Sequence, residues 1–282
     1  MEKKQINPLM AHFRQPAIYL KLPSQGQFWT SGLVLPESGE IPIYPMTAKD
    51  EITLKTPDAL LNGQGVVDVI HSCCPNITDA WRMPSVDVDA VLIAIRIASY
   101  GNNMEFDTVC PHCKEENRYD AELTAILDSI SLPDYNTKVT HGDIRIKLHP
   151  QEYFSINATN QINYEEQRVI NTLSDSNLDD ETRLSEYKKH MERLIDLNLK
   201  TLIDSTEYIE IVPTGTVVTE KEHIKDYYEN FEAEVCKAVR ERLEQIGVEG
   251  TIAPMPTECA SCQQPYTVPL TFDYSSFFAV GS

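Results

Sequence analysis

The chain carries 43 acidic and 24 basic side chains in 282 residues, a formal net charge of −19, and 41% of its residues are hydrophobic. That apolar share is enough to bury a core, which excludes wholesale disorder, and the length allows one or two domains of about 150 residues. The acidic balance excludes a general nucleic-acid binder or a protein held on anionic membranes, because both draw their affinity from Lys and Arg.

Residues 1–4 are basic, but residues 5–15 hold Asn, Pro, His and Arg where a signal peptide has its apolar block. The longest apolar run, residues 90–100, falls well short of the ~20 residues that span a bilayer, and it contains Arg96. The expectation is a soluble chain made inside the cell, with no membrane partner. Seven cysteines are an odd number and too sparse for a disulfide framework, so they point to reduced thiols or a metal site.

In the first 45 residues Pro23, Gly26, Gly32, Pro36, Gly39, Pro42 and Pro45 punctuate short apolar pieces at 18–22, 33–35 and 41–44. These predict short strands in a small β unit. From residue 47 the pattern turns helical. Thr47 with Asp50 three residues on reads as a cap, and Thr56 before Pro57 places an N-cap beside a proline at the first helical position. Gly63 and Gly65 break the pattern before a second helical piece at 66–72, which Pro75 ends. A third helix follows Pro84, with Ser85 or Asp87 as cap, Asp87 and Asp89 at the positive end of the dipole, and Gly101 as terminator. Its Val88, Val91, Leu92, Ile93, Ile95 and Ile97 leave almost no polar face, which places it at the centre of the core.

After Cys113 the chain is polar, until Ile144, Ile146 and Leu148 alternate as one strand closed by Pro150. Residues 151–250 predict two amphipathic helices. One carries Leu184, Tyr187, Met191, Leu194, Ile195, Leu199 and Leu202; the other carries Ile224, Tyr228, Phe231, Val235, Val239, Leu243 and Ile246. A further helix over 153–173 is weakened by Asn157, Asn160 and Asn163. This segment has 11 basic and 22 acidic side chains, so −11 of the −19 sits on it. The last thirty residues return to β, with Tyr266, Val268, Leu270 and Phe272 alternating.

The chemistry-bearing motifs are Cys110-Pro111-His112-Cys113 and Cys259-Ala260-Ser261-Cys262. Two C-x-x-C knuckles supply four thiolates, the ligand set of a tetrahedral structural zinc. Such an ion deprotonates the thiols and ties both ends of a helical insert to one point. The 145 residues between the pairs far exceed the ~15–20 of a compact ribbon, so the pattern fits a zinc ribbon split by an inserted domain. A redox pair and unliganded structural thiols are the alternatives; neither pair opens a helix after a strand, where a dipole lowers a thiol pKa. Four thiolates leave no open position for water, which makes the zinc structural, and His112 reads as a turn residue.

Other constellations have plain structural readings. His71, Cys73 and Cys74 lie too close in sequence to face one another on a helix, so the thiols read as buried at a helix end. Asp175, Asp179, Asp180 and Glu181 lack the alternation and glycine of a calcium loop and read as a solvated turn before a capped helix. Gly63 and Gly65 are not followed by Gly-Lys-Ser/Thr, so no phosphate loop is present. Arg96 is expected to reach a carboxylate or carbonyl within the fold.

The strings L-P-S-Q-G at 22–26, P-I-Y-P-M-T-A-K-D-E at 42–51, L-K-T-P-D-A-L-L-N-G at 54–63 and D-V-D-A-V-L-I-A-I-R-I-A-S-Y-G at 87–101 resemble the baseplate hub and hub-assembly family of T-even-type contractile-tailed bacteriophages. The resemblance covers roughly residues 20–120, and K-D-E and L-I-A-I-R are its most specific parts. It implies a non-enzymatic role in building the central baseplate hub, either as a part of the virion tail or as an assembly factor that leaves. Partners would be tail and hub proteins, including the tail-length (tape-measure) protein, met in the host cytoplasm; no nucleic acid, membrane or small-molecule substrate is expected. Lys49, Asp50 and Glu51 are candidate partner contacts, although a helix start alone explains their types. The acidic insert suits the docking of a basic or amphipathic helix. It departs from shorter members of the family.

The expected fold is α+β, mainly helical, with short N-terminal strands and a split zinc-ribbon-like element closed by the C-terminal strand. The expected divisions are a strand unit at 1–46, a helical core at 47–113 ending in the first knuckle, an acidic insert at 114–258, and the second knuckle with its strand at 259–282. Competing functions are a zinc-ribbon adaptor in nucleic-acid metabolism and a zinc or thiol enzyme.

Overall fold

The computed structural model describes residue 9 and residues 12–56, 63–174, 179–250, 252, 254–268 and 277–278. The protein is α+β: among the described residues eight α-helices accompany four small antiparallel sheets. None of these helices is long and apolar enough to cross a membrane.

β1 (Ile18–Leu20) and β2 (Ile41–Ile43) pair with Leu20 opposite Ile41, which turns both into the core. The apolar piece between them makes only a single bridge, Leu33 to Ile77. α1 (Ala48–Leu54) opens with a capping box: Thr47 N–H donates to Asp50 Oδ2 at 2.7 Å, and Asp50 N–H to Thr47 Oγ1 at 3.4 Å. α2 (Gln64–Cys73) starts at Gly63, whose φ is +75° and where a Cβ would stand 2.7 Å from Asn157 Oδ1. Only glycine fits such an approach at that φ. The cap expected from Thr56 and Pro57 lies partly outside the described residues.

α3 (Ser85–Tyr100) is the buried central helix that its sequence predicts, ended by Gly101. Its start differs from expectation. The N-cap is Pro84, with no side-chain cap bond, and Asp87 turns instead to the L-P-S-Q-G loop. There it accepts from Ser24 N–H (2.8 Å), Ser24 Oγ (2.5 Å) and Trp29 Nε1 (2.8 Å). The N-terminal strands are thereby bolted to the central helix and share one apolar cluster with it.

The polar passage around Cys113 is a hairpin, β3 (Asn103–Val109) with β4 (Glu116–Glu122), which the sequence reading missed. α4 (Leu123–Ser129) follows and packs Leu123 and Ile126 into the first core. β5 (Val139–His141), β6 (Ile144–Leu148), β7 (Thr206–Ile211) and β8 (Thr216–Val218) form a four-stranded sheet in that order. Between β6 and β7 runs a long helical hairpin, α5 (Tyr153–Ser174) and α6 (Asp180–Asp204). The stretch expected as one helix from Ile224 to Ile246 is two, α7 (Lys221–Asn230) and α8 (Ala233–Gly250), because Phe231 is extended at φ −99°, ψ 174°. Both pack with the sheet around Ile146, Leu148, Ile209 and Val239 in a second apolar cluster.

Phe28 and Val86 pack on the second cluster, with the Phe28 ring 5.4 Å from that of Tyr135, while α5 reaches the first cluster through Tyr153, on which Trp81 stacks at 5.6 Å, with Phe154 edge-on to Trp81 at 5.9 Å. Tyr153 N–H donates to the Met83 carbonyl (2.8 Å), and Arg82 pairs with Glu152 (2.9 Å). A last hairpin, β9 (Met255–Glu258) with β10 (Pro265–Val268), precedes Phe277, which returns to the first core at 1% exposure. Leu270 and Phe272 lie outside the described residues.

Candidate metal centre

Each C-x-x-C pair occupies the turn of a two-stranded hairpin: Cys110 and Cys113 between β3 and β4, Cys259 and Cys262 between β9 and β10. The two turns are built alike. Cys110 N–H donates to the Glu115 carbonyl (2.9 Å) and Lys114 N–H to the Cys110 carbonyl (3.0 Å); Cys259 N–H donates to the Gln264 carbonyl (3.1 Å) and Gln263 N–H to the Cys259 carbonyl (2.9 Å). In both, the residue after the second cysteine is left-handed, Lys114 at φ 65° and Gln263 at φ 58°. That conformation costs a non-glycine residue ~1–2 kcal/mol, and the paired turn bonds hold it so that the chain folds back over its cysteines.

Aromatic contacts bring the hairpins together. Tyr119 Oη donates to the Glu258 carbonyl at 2.8 Å, and Tyr266 Oη to Tyr119 Oη at 3.2 Å. As a result Cys110 Sγ stands 3.8 Å from Cys262 Sγ and Cys113 Sγ 3.6 Å from Cys259 Sγ, with all four sulfurs within 4.8 Å of one another. Cys110 and Cys259 are buried, Cys113 is exposed, and all seven cysteines of the chain are free thiols.

A tetrahedral zinc with Zn–S bonds of ~2.3 Å needs sulfurs about 3.8 Å apart, and the two cross-turn pairs already have that spacing. The donor set is four soft sulfurs, which suits zinc or iron rather than magnesium or calcium. The thiols are electrostatically uneven. The backbone N–H groups of Cys262 and Ser261, helped by neighbouring sulfurs, outweigh desolvation and pull Cys259 down to about 6. The Glu115 N–H also pulls on Cys113, but desolvation and three neighbouring sulfurs outweigh it and push that thiol up to about 12. Four thiolates this close repel one another, and a dication among them removes the conflict. The group can hold a metal ion. Sequence reading singled out the four cysteines from spacing alone and missed Asn117, buried on β4 and touching both turns, because no motif marks it.

The other candidates are placed as follows. Asp50 is buried; beyond its cap, it accepts from Ser72 Oγ (2.9 Å) and faces Arg14 Nη1 at 3.5 Å. Glu51 accepts from Tyr100 Oη at 3.0 Å, and Lys49 is exposed. Cys73 and Cys74 are fully buried, and burial pushes Cys73 up to about 12. His71 Nε2 accepts from Ala80 N–H at 2.9 Å, a structural role. Asp179 caps α6 by accepting from Thr182 N–H, while Asp175 lies outside the described residues. Among the described residues Arg96 shows no carboxylate or carbonyl contact of the kind expected: its guanidinium lies 4.5 Å from the Tyr100 ring centroid, and its buried Nε and Nη1 have no hydrogen-bond partner there.

Neither a curated protein nor a solved structure matches the chain. The family model described as T4 bacteriophage base plate protein matches residues 16–279, a span that includes both knuckles, the whole insert and the L-P-S-Q-G, K-D-E and L-I-A-I-R strings. On that span the chain belongs to the T4 bacteriophage base plate protein family.

Proposed function

We propose that the protein is a non-enzymatic structural or assembly component of the central hub of a contractile tail baseplate, in which a zinc ion on Cys110, Cys113, Cys259 and Cys262 fastens an acidic helical insert to a docking core. The observation that carries this reading is a family match that runs through both knuckles and the insert between them. The convergence of sulfurs from knuckles 145 residues apart supports the clamp. In this organisation residues 1–46 pack on a helical core at 47–113, residues 114–258 form the insert, and 259–282 close it. A second apolar cluster built mainly from insert residues supports the division, although α4 and Tyr153 of the insert pack on the first core and Phe28 and Val86 of the core pack on the second.

The partners are other tail and hub proteins, among them the tape-measure protein, met in the host cytoplasm and kept in the virion tail. Residues 151–250 of the insert carry −11 of the net charge, and its α6 exposes Leu184 (69%) and Ile195 (62%). A basic amphipathic helix complements such a surface. Lys49 and Glu51 would meet a second partner surface beside exposed Ile52, with Asp50 holding the helix start behind them. Co-expression with the neighbouring tail genes tests this: a complex surviving affinity purification and gel filtration is expected, and a chain that emerges alone under gentle conditions would remove the reading.

A further inference from the structure

We infer that Asn117 is the positioning residue of the metal centre, a neutral amide that sets the second knuckle against the first and donates an N–H to the Cys259 sulfur. The inference rests on the reading that the four cysteines hold a metal.

Asn117 is buried on β4, 142 residues from Cys259 in sequence, yet its side chain reaches both turns. Its Nδ2 donates to the Glu115 carbonyl at 3.0 Å, the same carbonyl that receives the Cys110 N–H in the first knuckle. Nδ2 also stands 3.5 Å from Cys259 Sγ, and Oδ1 accepts from Ala260 N–H at 3.0 Å in the second knuckle. In the thiol form Cys259 Sγ also points at Oδ1, at 3.6 Å. One amide therefore uses both its donor and its acceptor to join the turns, and the sulfur it touches belongs to a ligand.

The chemistry of that contact is specific. With its proton displaced to solvent by a bound metal, the Cys259 sulfur would be an anion, and an N–H aimed at it would stabilise the charge and draw electron density from the sulfur. A carboxylate at this position would oppose the thiolate instead; an amide keeps the donor without adding charge. The Ala260 bond meanwhile fixes the turn that aims Cys259 at the other three sulfurs. Partners of this kind typically govern metal affinity by about 10- to 100-fold.

The test compares full-length wild type, N117A and N117D by zinc competition against a chromophoric chelator and by absorption of the cobalt-substituted proteins. Wild type is expected to bind one ion with a four-sulfur spectrum. N117A should bind about 10- to 100-fold more weakly, with its sulfur-to-cobalt charge-transfer band at lower energy because the thiolate has lost its donor. N117D keeps an acceptor for Ala260 but has no donor for sulfur, so it should show the same band shift. A residue that only supports the fold would lower the melting temperature without moving the band. If wild type binds cobalt and both variants reproduce its affinity and band, the role of Asn117 is overturned while the metal reading stands; if wild type binds no metal, both fall. Should the variants fail to fold, wild type loaded with a spin-half cadmium isotope decides the matter. Coupling from the metal to the Asn117 side-chain amide is expected, and its absence beside visible backbone couplings in the knuckles would overturn the inference.

Discussion

Asp87 is fully buried and answered by three donors from a single loop, the Ser24 N–H, the Ser24 hydroxyl and the Trp29 indole. Each buried donor left without an acceptor costs ~1–3 kcal/mol. Asp87→Ala should therefore destabilise the fold by about 3 kcal/mol or more, read as a lower urea midpoint by tryptophan fluorescence; an unchanged midpoint would mean that the loop is held by something else. The pH dependence has a definite sign. Burial raises the Asp87 pKa above its usual 3.8, with Ser24 and Trp29 pulling partly back. The folded chain thus binds this proton more tightly than the unfolded one, so its contribution to stability falls as pH rises from about 3.8 through the raised folded value. Asp87→Ala should remove that part of the slope.

The α5–α6 hairpin is held by polar as well as apolar contacts. Glu166 hydrogen-bonds His190 Nδ1 and pairs with Arg193 at 3.1 Å, and both Glu166 and His190 are buried. His190 first, then Arg193, holds the Glu166 carboxyl below its usual 4.5. Its stabilising contribution is complete above the unfolded value near 4.5 and is lost as pH falls through the depressed folded one. Glu166→Gln should cost ~1–2 kcal/mol at neutral pH and much less in strong acid, which paired denaturation curves would show; equal losses at both pH values would contradict the ion pair. Legibility at this scale followed periodicity. α3 and α6 were readable because their apolar stripes are long, but α7 and α8 merged because Tyr228, Phe231 and Val235 stay in helical phase across a break. β3 and β4 do alternate, with Met104, Phe106, Tyr119 and Ala121 turned inward and Glu105, Asp107 and Arg118 outward, but each strand offers only two large or apolar inward positions among charged residues, and the reading passed over them. The four cysteines were legible because metal spacing is local to each pair, whereas Asn117 is defined only by contacts between hairpins distant in sequence.

Among the described residues the connections that join the insert to the core include the Phe28–Tyr135 contact, the Trp81 aromatic seam, the run through α4, and the meeting of the two knuckles. The first three involve residues 123–154 of the insert and do not restrain the chain after α8. The C-terminal hairpin is held by the knuckles, the Tyr119 contacts, the Asn117–Ala260 bond, and Ile252 and Phe277 packed on the first core. A metal bound at the knuckles would be the strongest of these, because its ligands come from both sides of a 145-residue loop and its release frees both. Cys259→Ser should abolish stoichiometric zinc, measured by elemental analysis, and lower the melting temperature by on the order of 5 °C, equivalent to about 2 kcal/mol in a chain of this size. The loss should also be local in its first step. Limited proteolysis of the variant, or of wild type with chelator, should cut within residues 252–268 before it cuts α3, while zinc-loaded wild type resists at both places. Cleavage that begins in α3, or at equal rates with and without metal, would show that the C-terminal hairpin is held without the metal.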